Sequence, residues 1–214
     1  MHVEEILRLP APGPEPLGVA FDGKTLWVSS REAHRLYAVD PATWTIGDEV
    51  VSPGAPFGIA VFGDELRVVI GFGEDDDDRY IYRFVPGQGF ADDRIECPDL
   101  SGVHLAYDGD ALFLSQAHNR RILALDRRGQ VIREIRLGRE PVGMTIVGGA
   151  FYLITGENFK NLQLTRVDTT GETPLVSLLA SLPFVARGLA FDGKCFWTGS
   201  RSDDQIVAFE MPAL

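Results

Sequence analysis

The sequence lacks several features that would narrow its function at once. Only two cysteines occur among 214 residues, without CxxC spacing. Because Cys195 lies in the apolar run KCFW, we expect it to be a buried free thiol. Positive charge is scarce too: 20 basic and 31 acidic residues give a net charge of −11. This balance disfavours nucleic acid or an anionic membrane as a partner.

Long hydrophobic runs and catalytic signatures are also absent. No segment approaches the roughly 18 consecutive apolar residues of a membrane span. The N-terminal stretch MHVEEILRLP lacks the basic start of a signal peptide, so we expect a cytoplasmic protein. No GxSxG, HExxH or P-loop pattern occurs, and no motif alone therefore indicates a reaction.

What the sequence does contain is a repeat. Five short apolar runs each end in a glycine-containing turn and restart as a second apolar run: Leu17–Trp27, Phe57–Arg67, Val103–Phe113, Val142–Tyr152 and Arg187–Trp197. The turn glycines stand at positions 23, 63, 109, 148 and 193, so the repeats are 39 to 46 residues apart. A period of this size, built on β-hairpins, predicts the blades of a β-propeller.

Each repeat predicts four antiparallel strands, A to D, because two further alternating segments follow the hairpin. The fifth repeat stops after strand C, at QIVAFE (205–210). Residues 3–9 resemble the strand D segment Arg133–Leu137, so we expect them to complete the fifth blade and close the ring. The sequence thus predicts one all-β domain over residues 1–214, a five-bladed propeller. An open solenoid would need atypical end repeats, and a larger ring would need more residues.

The pattern P-Φ-G-Φ-A-Φ-D-G followed by Φ-W-V, where Φ is apolar, resembles NHL-type, SMP-30/gluconolactonase-type and five-bladed glutaminyl cyclase propellers. Resemblance to the SMP-30-type lactonases implies metal ligands at the start of strand A. The equivalent positions here argue against such a lactonase, because none is a hard-cation ligand: Leu17, Phe57, Val103, Val142 and Arg187. Resemblance to the glutaminyl cyclases implies an acidic residue near the channel mouth, with Glu157 as first candidate and Glu15 and Glu140 as second.

The connection between strands B and C varies among the repeats. The spacing between their first apolar residues is 10 in three blades, but 15 in blade two (Leu66–Ile81) and 13 in blade four (Phe151–Leu164). Elaborated loops above a rigid scaffold often carry binding residues. We therefore expect the site on the face that the B-to-C and D-to-A connections share.

Two polar residues interrupt the aligned positions at the start of strand A. Arg187 replaces an apolar residue, and His104 replaces the glycine of the other repeats. An arginine here needs a charge partner, which is either an anionic ligand or a neighbouring carboxylate in a structural salt bridge. His104 equally fits a hydrogen-bonded imidazole that fills the space left open by the glycines.

Further polar residues are expected to converge on the same mouth. Ring closure makes blades one and five neighbours, so Arg31 and Arg201 join Arg187 in a predicted basic cluster. Gln116 and Asn158 add polar groups from blades three and four. A pocket with guanidinium groups on one side and imidazoles and carboxylates on the other suits a small polar ligand with a carboxylate or phosphate.

These residues predict a monomeric binding module, with no cofactor, for a small polar or anionic molecule or a protein partner. Phe72 and Phe159, at the loop tips, would belong to a protein-docking surface. The alternative is an enzyme of the glutaminyl cyclase, lyase or hydrolase kind, with His104, His118 and Glu157 as acid–base groups. The acidic run 75–78 and the two histidines are incomplete as metal sites, so we predict no metal.

Overall fold

Five antiparallel sheets of four strands surround a central axis in the computed structural model, which describes residues 1–171 and 173–212. The innermost strands of successive sheets contact one another around the axis, and the fifth contacts the first, which closes the ring. The described residues contain one 3-10 turn, Pro98–Leu100, and no helix with the length and apolarity to cross a bilayer. The five-bladed propeller predicted from the repeat is confirmed.

In blades one to four the strands follow one another from the axis outwards in chain order. Blade one comprises β2 (Pro16–Phe21), β3 (Leu26–Ser30), β4 (Arg35–Asp40) and β5 (Thr45–Val51). Blade two comprises β6 (Ala55–Phe62), β7 (Glu65–Phe72), β8 (Asp78–Val85) and β9 (Gly89–Glu96). Blade three comprises β10 (Leu105–Tyr107), β11 (Leu112–Gln116), β12 (Arg121–Leu125) and β13 (Val131–Arg136). Blade four comprises β14 (Glu140–Val147), β15 (Ala150–Glu157), β16 (Lys160–Asp168) and β17 (Leu175–Ser181). Blade five comprises β18 (Arg187–Phe191), β19 (Cys195–Ser200), β20 (Gln205–Glu210) and, outermost, β1 (Glu5–Pro10).

The turn between the two inner strands of blade five is organised by Asp192. One carboxylate oxygen accepts hydrogen bonds from the backbone N–H groups of Lys194 and Cys195, each 2.8 Å long. The other accepts one from the indole Nε1 of Trp197, also 2.8 Å long. Gly193 adopts a φ of 96°, which glycine tolerates without strain. The same arrangement recurs in blade one, and it explains why the sequence DGK precedes a tryptophan in both repeats.

The inner strands approach each other too closely for most side chains. A Cβ on Gly143 would lie 2.7 Å from the carbonyl oxygen of Gly188 in the next blade. Gly18, Gly58 and Gly188 face neighbouring backbone just as closely. Only His104 carries a side chain among these five equivalent positions, so the packing of blade three against blade four differs from that of the other pairs.

The N-terminal strand closes the ring as predicted, although its bounds are shifted. β1 begins at Glu5 rather than at residue 3, and it pairs antiparallel with β20. The backbone N–H of Val3 donates to the carbonyl of Ser181, and the N–H of Ser181 donates to the carbonyl of Met1, both at 3.0 Å. Since Ser181 ends the outer strand of blade four, the N-terminal residues link two blades. The sequence did not indicate this second contact.

The extra residues in blades two and four lengthen strands more than loops. Blade two retains a loop of residues 73–77 between β7 and β8. In blade four only Asn158 and Phe159 separate β15 from β16, and both have positive φ, as in a two-residue hairpin turn. The expectation of an elaborated loop in blade four is therefore corrected: the added residues form an extended hairpin.

The hydrophobic core is divided among the interfaces between blades. In blade five, Phe196 and Phe209 are fully buried, with their ring centres 5.5 Å apart. Tyr152 of blade four packs against Phe196 at 5.3 Å, so aromatic rings join these two sheets. Cys195 is a buried free thiol, as predicted, and Cys97 is another.

Candidate functional site

A cavity of about 400 Å³ lies at the end of the axis where the B-to-C and D-to-A connections meet. Its base combines all five equivalent positions at the start of the inner strands, Leu17, Phe57, Val103, Val142 and Arg187. The connections supply its wall. The predicted residues Arg31, Arg201, His104, His118 and Phe159 also line this cavity.

Two arginines at the rim are paired with carboxylates. Nη2 of Arg31 lies 2.6 Å from a carboxylate oxygen of Asp76 in blade two. Nη2 of Arg201 lies 2.7 Å from a carboxylate oxygen of Glu15, which precedes blade one. These two ion pairs join adjacent blades, and they reduce the repulsion between guanidinium groups in the predicted basic cluster.

Two other arginines of the cavity form no ion pair with a carboxylate in the part of the chain that the structure describes. Arg187 donates to the backbone carbonyl of Ala186 at 2.8 Å. Arg79 donates to the carbonyls of Asp76 and Gly102 at 3.0 and 2.7 Å. Carbonyl groups satisfy some of their N–H donors, but they do not neutralise the charge.

The same two guanidinium groups lie over phenylalanine rings. The guanidinium carbon of Arg187 is 4.9 Å from the ring centre of Phe159, and that of Arg79 is 3.8 Å from the ring centre of Phe57. Burial lowers the pKa of both arginines, and the positive charge of Arg201 lowers the pKa of Arg187 further. The carboxylates of Asp77 and Glu140 act in the opposite direction, on Arg79 and Arg187 respectively, but they do not offset burial. Both guanidinium groups would therefore be stabilised by a bound anion.

His104 is enclosed in the wall of the cavity, with 2% of its surface exposed. Its backbone N–H donates to Oγ of Ser115 at 3.0 Å, which fixes the start of the inner strand. Nε2 of the ring has no hydrogen-bond partner among the described residues. Burial, followed by the charges of Arg187 and Arg79, lowers the pKa of this imidazole to about 3, so the ring is neutral at pH 7.

Phe159 covers one side of the cavity from the tip of the blade-four hairpin. Its φ of 58° is unfavourable for a bulky side chain. Its backbone N–H donates to Oε2 of the buried Glu140 at 3.1 Å, a contact that holds the turn. The ring meets that of His118 edge to face, with centres 5.6 Å apart. His118 is exposed at the rim, so the two predicted imidazoles share the cavity at different depths.

Two of the predicted site residues lie outside the cavity and contact other parts of the chain. Gln116 is fully buried, and its Nε2 donates to the carbonyls of Pro98 and Ser101 at 2.7 Å each. It therefore supports the D-to-A connection between blades two and three. Glu157 is exposed, and its carboxylate lies 3.5 Å from Arg139. The structure does not bring Glu157 together with the two histidines in the cavity.

Two more predicted residues also lie away from the cavity. Asn158 is exposed as the first residue of the hairpin turn, beside Phe159. Phe72 ends β7 and packs against the rings of Tyr80 and Tyr82, with centres 5.9 and 6.0 Å away. Phe72 and Phe159 therefore do not form one patch, and the binding roles of Asn158 and Phe72 stay predictions.

Several residues of the cavity were not predicted from the sequence. Arg79 lies two residues before the buried Ile81 in β8, so the period-two alternation of this strand was a signal that placed both on one face. Asp77 and Asp99 also line the cavity and are exposed. Asp99 is paired with Arg121 at 2.5 Å. The D-to-A connection around Asp99 gave no such signal, because it lies outside the repeat.

Within residues 1–171 and 173–212, no three His, Cys, Asp or Glu side chains are grouped so as to hold a metal ion. The acidic run of blade two is dispersed. Asp76 pairs with Arg31, Asp77 lines the cavity and Asp78 begins β8.

The chain is a five-bladed β-propeller with an arginine-rich cavity at one end of its axis. No family model and no curated protein matches its sequence. Glutaminyl cyclase from Myxococcus xanthus has a similar structure, with a TM-score of 0.75 and 12% identity over the whole of both chains.

Two further solved structures resemble it. The PQQ-bound aldose sugar dehydrogenase from Streptomyces coelicolor gives a TM-score of 0.65 at 15% identity, with 97% of each chain covered. Regucalcin, a calcium-binding protein from Agrobacterium tumefaciens, gives 0.62 at 10% identity, with 99% of this chain and 95% of that chain covered. At these identities the likeness shows the fold alone. The predicted resemblance to glutaminyl cyclase and SMP-30-like propellers is confirmed at that level.

Proposed function

We propose that this propeller binds a small anionic molecule, with a carboxylate or a phosphate, in the axial cavity. The observation that carries the proposal is the pair Arg79 and Arg187. Both guanidinium groups are partly buried and stacked on phenyl rings, and neither has an ion-pair partner in the described chain. A buried charge without a partner is costly, and a bound anion would supply that partner.

The distribution of charge around the cavity supports an anion over other ligands. Arginines from blades five, one and two line it, whereas its carboxylates, Asp77 and Asp99, are exposed at the rim. A guanidinium group presents paired N–H donors that match a carboxylate or a phosphate. The cavity volume of about 400 Å³ and the apolar residues Leu17 and Val142 favour a ligand with an apolar part as well.

Isothermal titration calorimetry at low ionic strength tests the proposal, with inorganic phosphate and phenylacetate as probes. We expect wild-type protein to bind at least one of them. The Arg187→Gln variant should bind it roughly tenfold or more weakly, because a charge-assisted hydrogen bond contributes about 1.5–3 kcal/mol.

Arg136→Gln is the matched control. This arginine lies in β13 with 87% of its side chain exposed, so its loss should leave the affinity unchanged. Absence of binding by wild-type protein would contradict the proposal. An equal loss of affinity in both variants would also contradict it, since general electrostatic attraction would then account for binding.

Acid–base catalysis in the same cavity is the second candidate function, and His104 favours it. A buried ionisable group with a strongly shifted pKa is often catalytic. We place it second because an imidazole with a pKa of about 3 is a weak base, and because Glu157 lies outside the cavity. An assay for glutaminyl cyclase activity, the activity named for a structurally similar protein, tests this candidate. Turnover that is lost in His104→Gly would favour an enzyme, and anion binding without turnover would favour a binding module.

A protein-docking role has weaker support. Phe159 faces the cavity and Phe72 packs within blade two, so these two aromatic residues do not form a shared exposed patch. A small molecule therefore suits the site better than a protein partner.

A further inference from the structure

His104 stands where the repeat elsewhere requires glycine. At Gly18, Gly58, Gly143 and Gly188, backbone of the adjacent blade lies within 3 Å of the place a Cβ would take. An imidazole at this position is therefore a departure from the packing rule of the whole ring. His104 lines the cavity, and its Nε2 has no partner in the described chain although the atom is buried. Buried polar atoms are nearly always hydrogen-bonded, so this nitrogen needs a partner from outside the chain.

The tautomer of His104 follows from its surroundings. Burial lowers the pKa of His104, and the backbone of Val142 acts in the opposite direction, so the carbonyl of Val142 favours a proton on the ring nitrogen nearest to it. Because Nε2 has no partner in the described chain, we assign that proton to Nδ1. In a neutral imidazole the other nitrogen carries the lone pair. Nε2 is therefore an unpaired hydrogen-bond acceptor in a residue that lines the cavity.

We propose that Nε2 of His104 accepts a hydrogen bond from the ligand, so that the cavity selects anions that also carry a hydrogen-bond donor. This inference rests on the anion-binding function proposed above and deepens it. Arg187 and Arg79 would hold the anionic group. His104 would distinguish ligands by whether a hydrogen-bond donor lies next to that anionic group.

The charge of the cavity identifies the kind of donor. Arg31, Arg79, Arg187 and Arg201 surround the site, so an ammonium group would be repelled there. A hydroxyl group donates without positive charge. The apolar residues at the base of the cavity, such as Leu17 and Val142, suit a hydrocarbon or aromatic body. The ligand class is thus an anion with a neighbouring hydroxyl group on an apolar body, and a 2-hydroxycarboxylate is the simplest member.

Three probes that differ at one group test the inference by calorimetry: mandelate, phenylacetate and α-methoxyphenylacetate. Mandelate carries a hydroxyl donor, phenylacetate has none, and the methyl ether keeps the oxygen but loses the proton. We expect wild-type protein to bind mandelate roughly tenfold more tightly than either of the others, since an unpaired buried acceptor is costly. In His104→Gly this preference should fall to about one, while binding of phenylacetate persists.

His34→Gly is the matched control variant. This histidine is exposed, lies outside the cavity and has a φ of 50°, a conformation that glycine adopts readily. It should keep the full preference for mandelate. Equal affinity of wild-type protein for all three probes would overturn the inference and leave anion binding intact. Failure of every probe and of phosphate to bind would instead overturn the proposed function.

A measurement on wild-type protein keeps the inference testable if His104→Gly does not fold. The ¹⁵N resonance of Nε2 in His104 reports whether this atom accepts a hydrogen bond. Saturating mandelate should shift this resonance, and saturating phenylacetate should shift it much less. An Nε2 resonance that responds equally to both would overturn the inference.

Discussion

The two mouths of the channel are built from the same repeat, but equivalent positions carry the same type of residue at only one of them. At the lower mouth, beside the turns between the inner strands, five equivalent positions form a half-buried apolar ring: Phe21, Val61, Tyr107, Ile146 and Phe191. At the upper mouth the ring is interrupted by Arg187 and His104. At the regular end all five positions are apolar, whereas the interrupted end adds a guanidinium group and a buried imidazole. Departures from a repeat thus locate the candidate site better than the repeat itself does.

The strongest test of this contrast is a substitution at the lower mouth. Asp192→Ala removes the acceptor for Lys194, Cys195 and Trp197, so we expect a loss of about 3 kcal/mol in the free energy of unfolding. Urea denaturation measures it. Affinity for anions at the other mouth should not change.

Asp64→Ala is the control for that substitution. Asp64 is exposed and follows Gly63 in the corresponding turn of blade two. Its loss should alter the free energy of unfolding by less than about 0.5 kcal/mol. Similar losses in both variants would contradict the comparison. They would mean that any carboxylate in these turns stabilises the fold, whether or not it accepts hydrogen bonds from the turn.

The second test concerns pH at the upper mouth. Burial lowers the pKa of His104 from 6.5 to about 3, so between these values the unfolded chain binds a proton that the folded one lacks. The stabilisation is therefore complete above pH 6.5 and declines as the pH falls. Between pH 6.5 and 5, wild-type protein should lose up to about 2 kcal/mol more stability than His104→Gly. Denaturation curves at both pH values measure this, and equal losses in the two proteins would contradict it.

The smallest expected effect has the opposite sign to the first. Arg187→Met replaces a partly buried charge by an apolar chain, so the ligand-free protein should gain about 1 kcal/mol of stability. Thermal or urea unfolding without added anions is the measurement. Destabilisation instead would mean that Arg187 has a structural role. Residues at both mouths would then stabilise the fold, which contradicts the proposed contrast between them.

Much of the fold was predictable, because a propeller repeats its local chemistry. Asp192, Gly193 and Trp197 form a turn from contacts within a few residues, and such contacts recur in the sequence as a motif. The contact of Met1 and Val3 with Ser181 was missed for the opposite reason. It joins segments far apart in the chain through so few residues that no periodicity marks it.

The candidate site was predictable only where the repeats align. His104 and Arg187 stood out because four equivalents exist for each. Arg79 was missed because the extended hairpin of blade two places it in β8, whereas the equivalent positions of the three shorter blades lie in turns. Glu157 is exposed because it ends β15, in the extended hairpin, and that register depends on how the strands pair. Strand register of this kind is set by the pairing of whole strands, which a single side chain does not reveal.

The strand β1 has a consequence for biosynthesis. Glu5 lies opposite Phe209, so this strand has no partner in its own sheet until about 200 further residues have been synthesised. Until then blade five lacks its outer strand, and the ring stays open with an unpaired β edge that can associate with other chains. Closure of the ring is therefore a long-range event that can follow only after β20 has been synthesised.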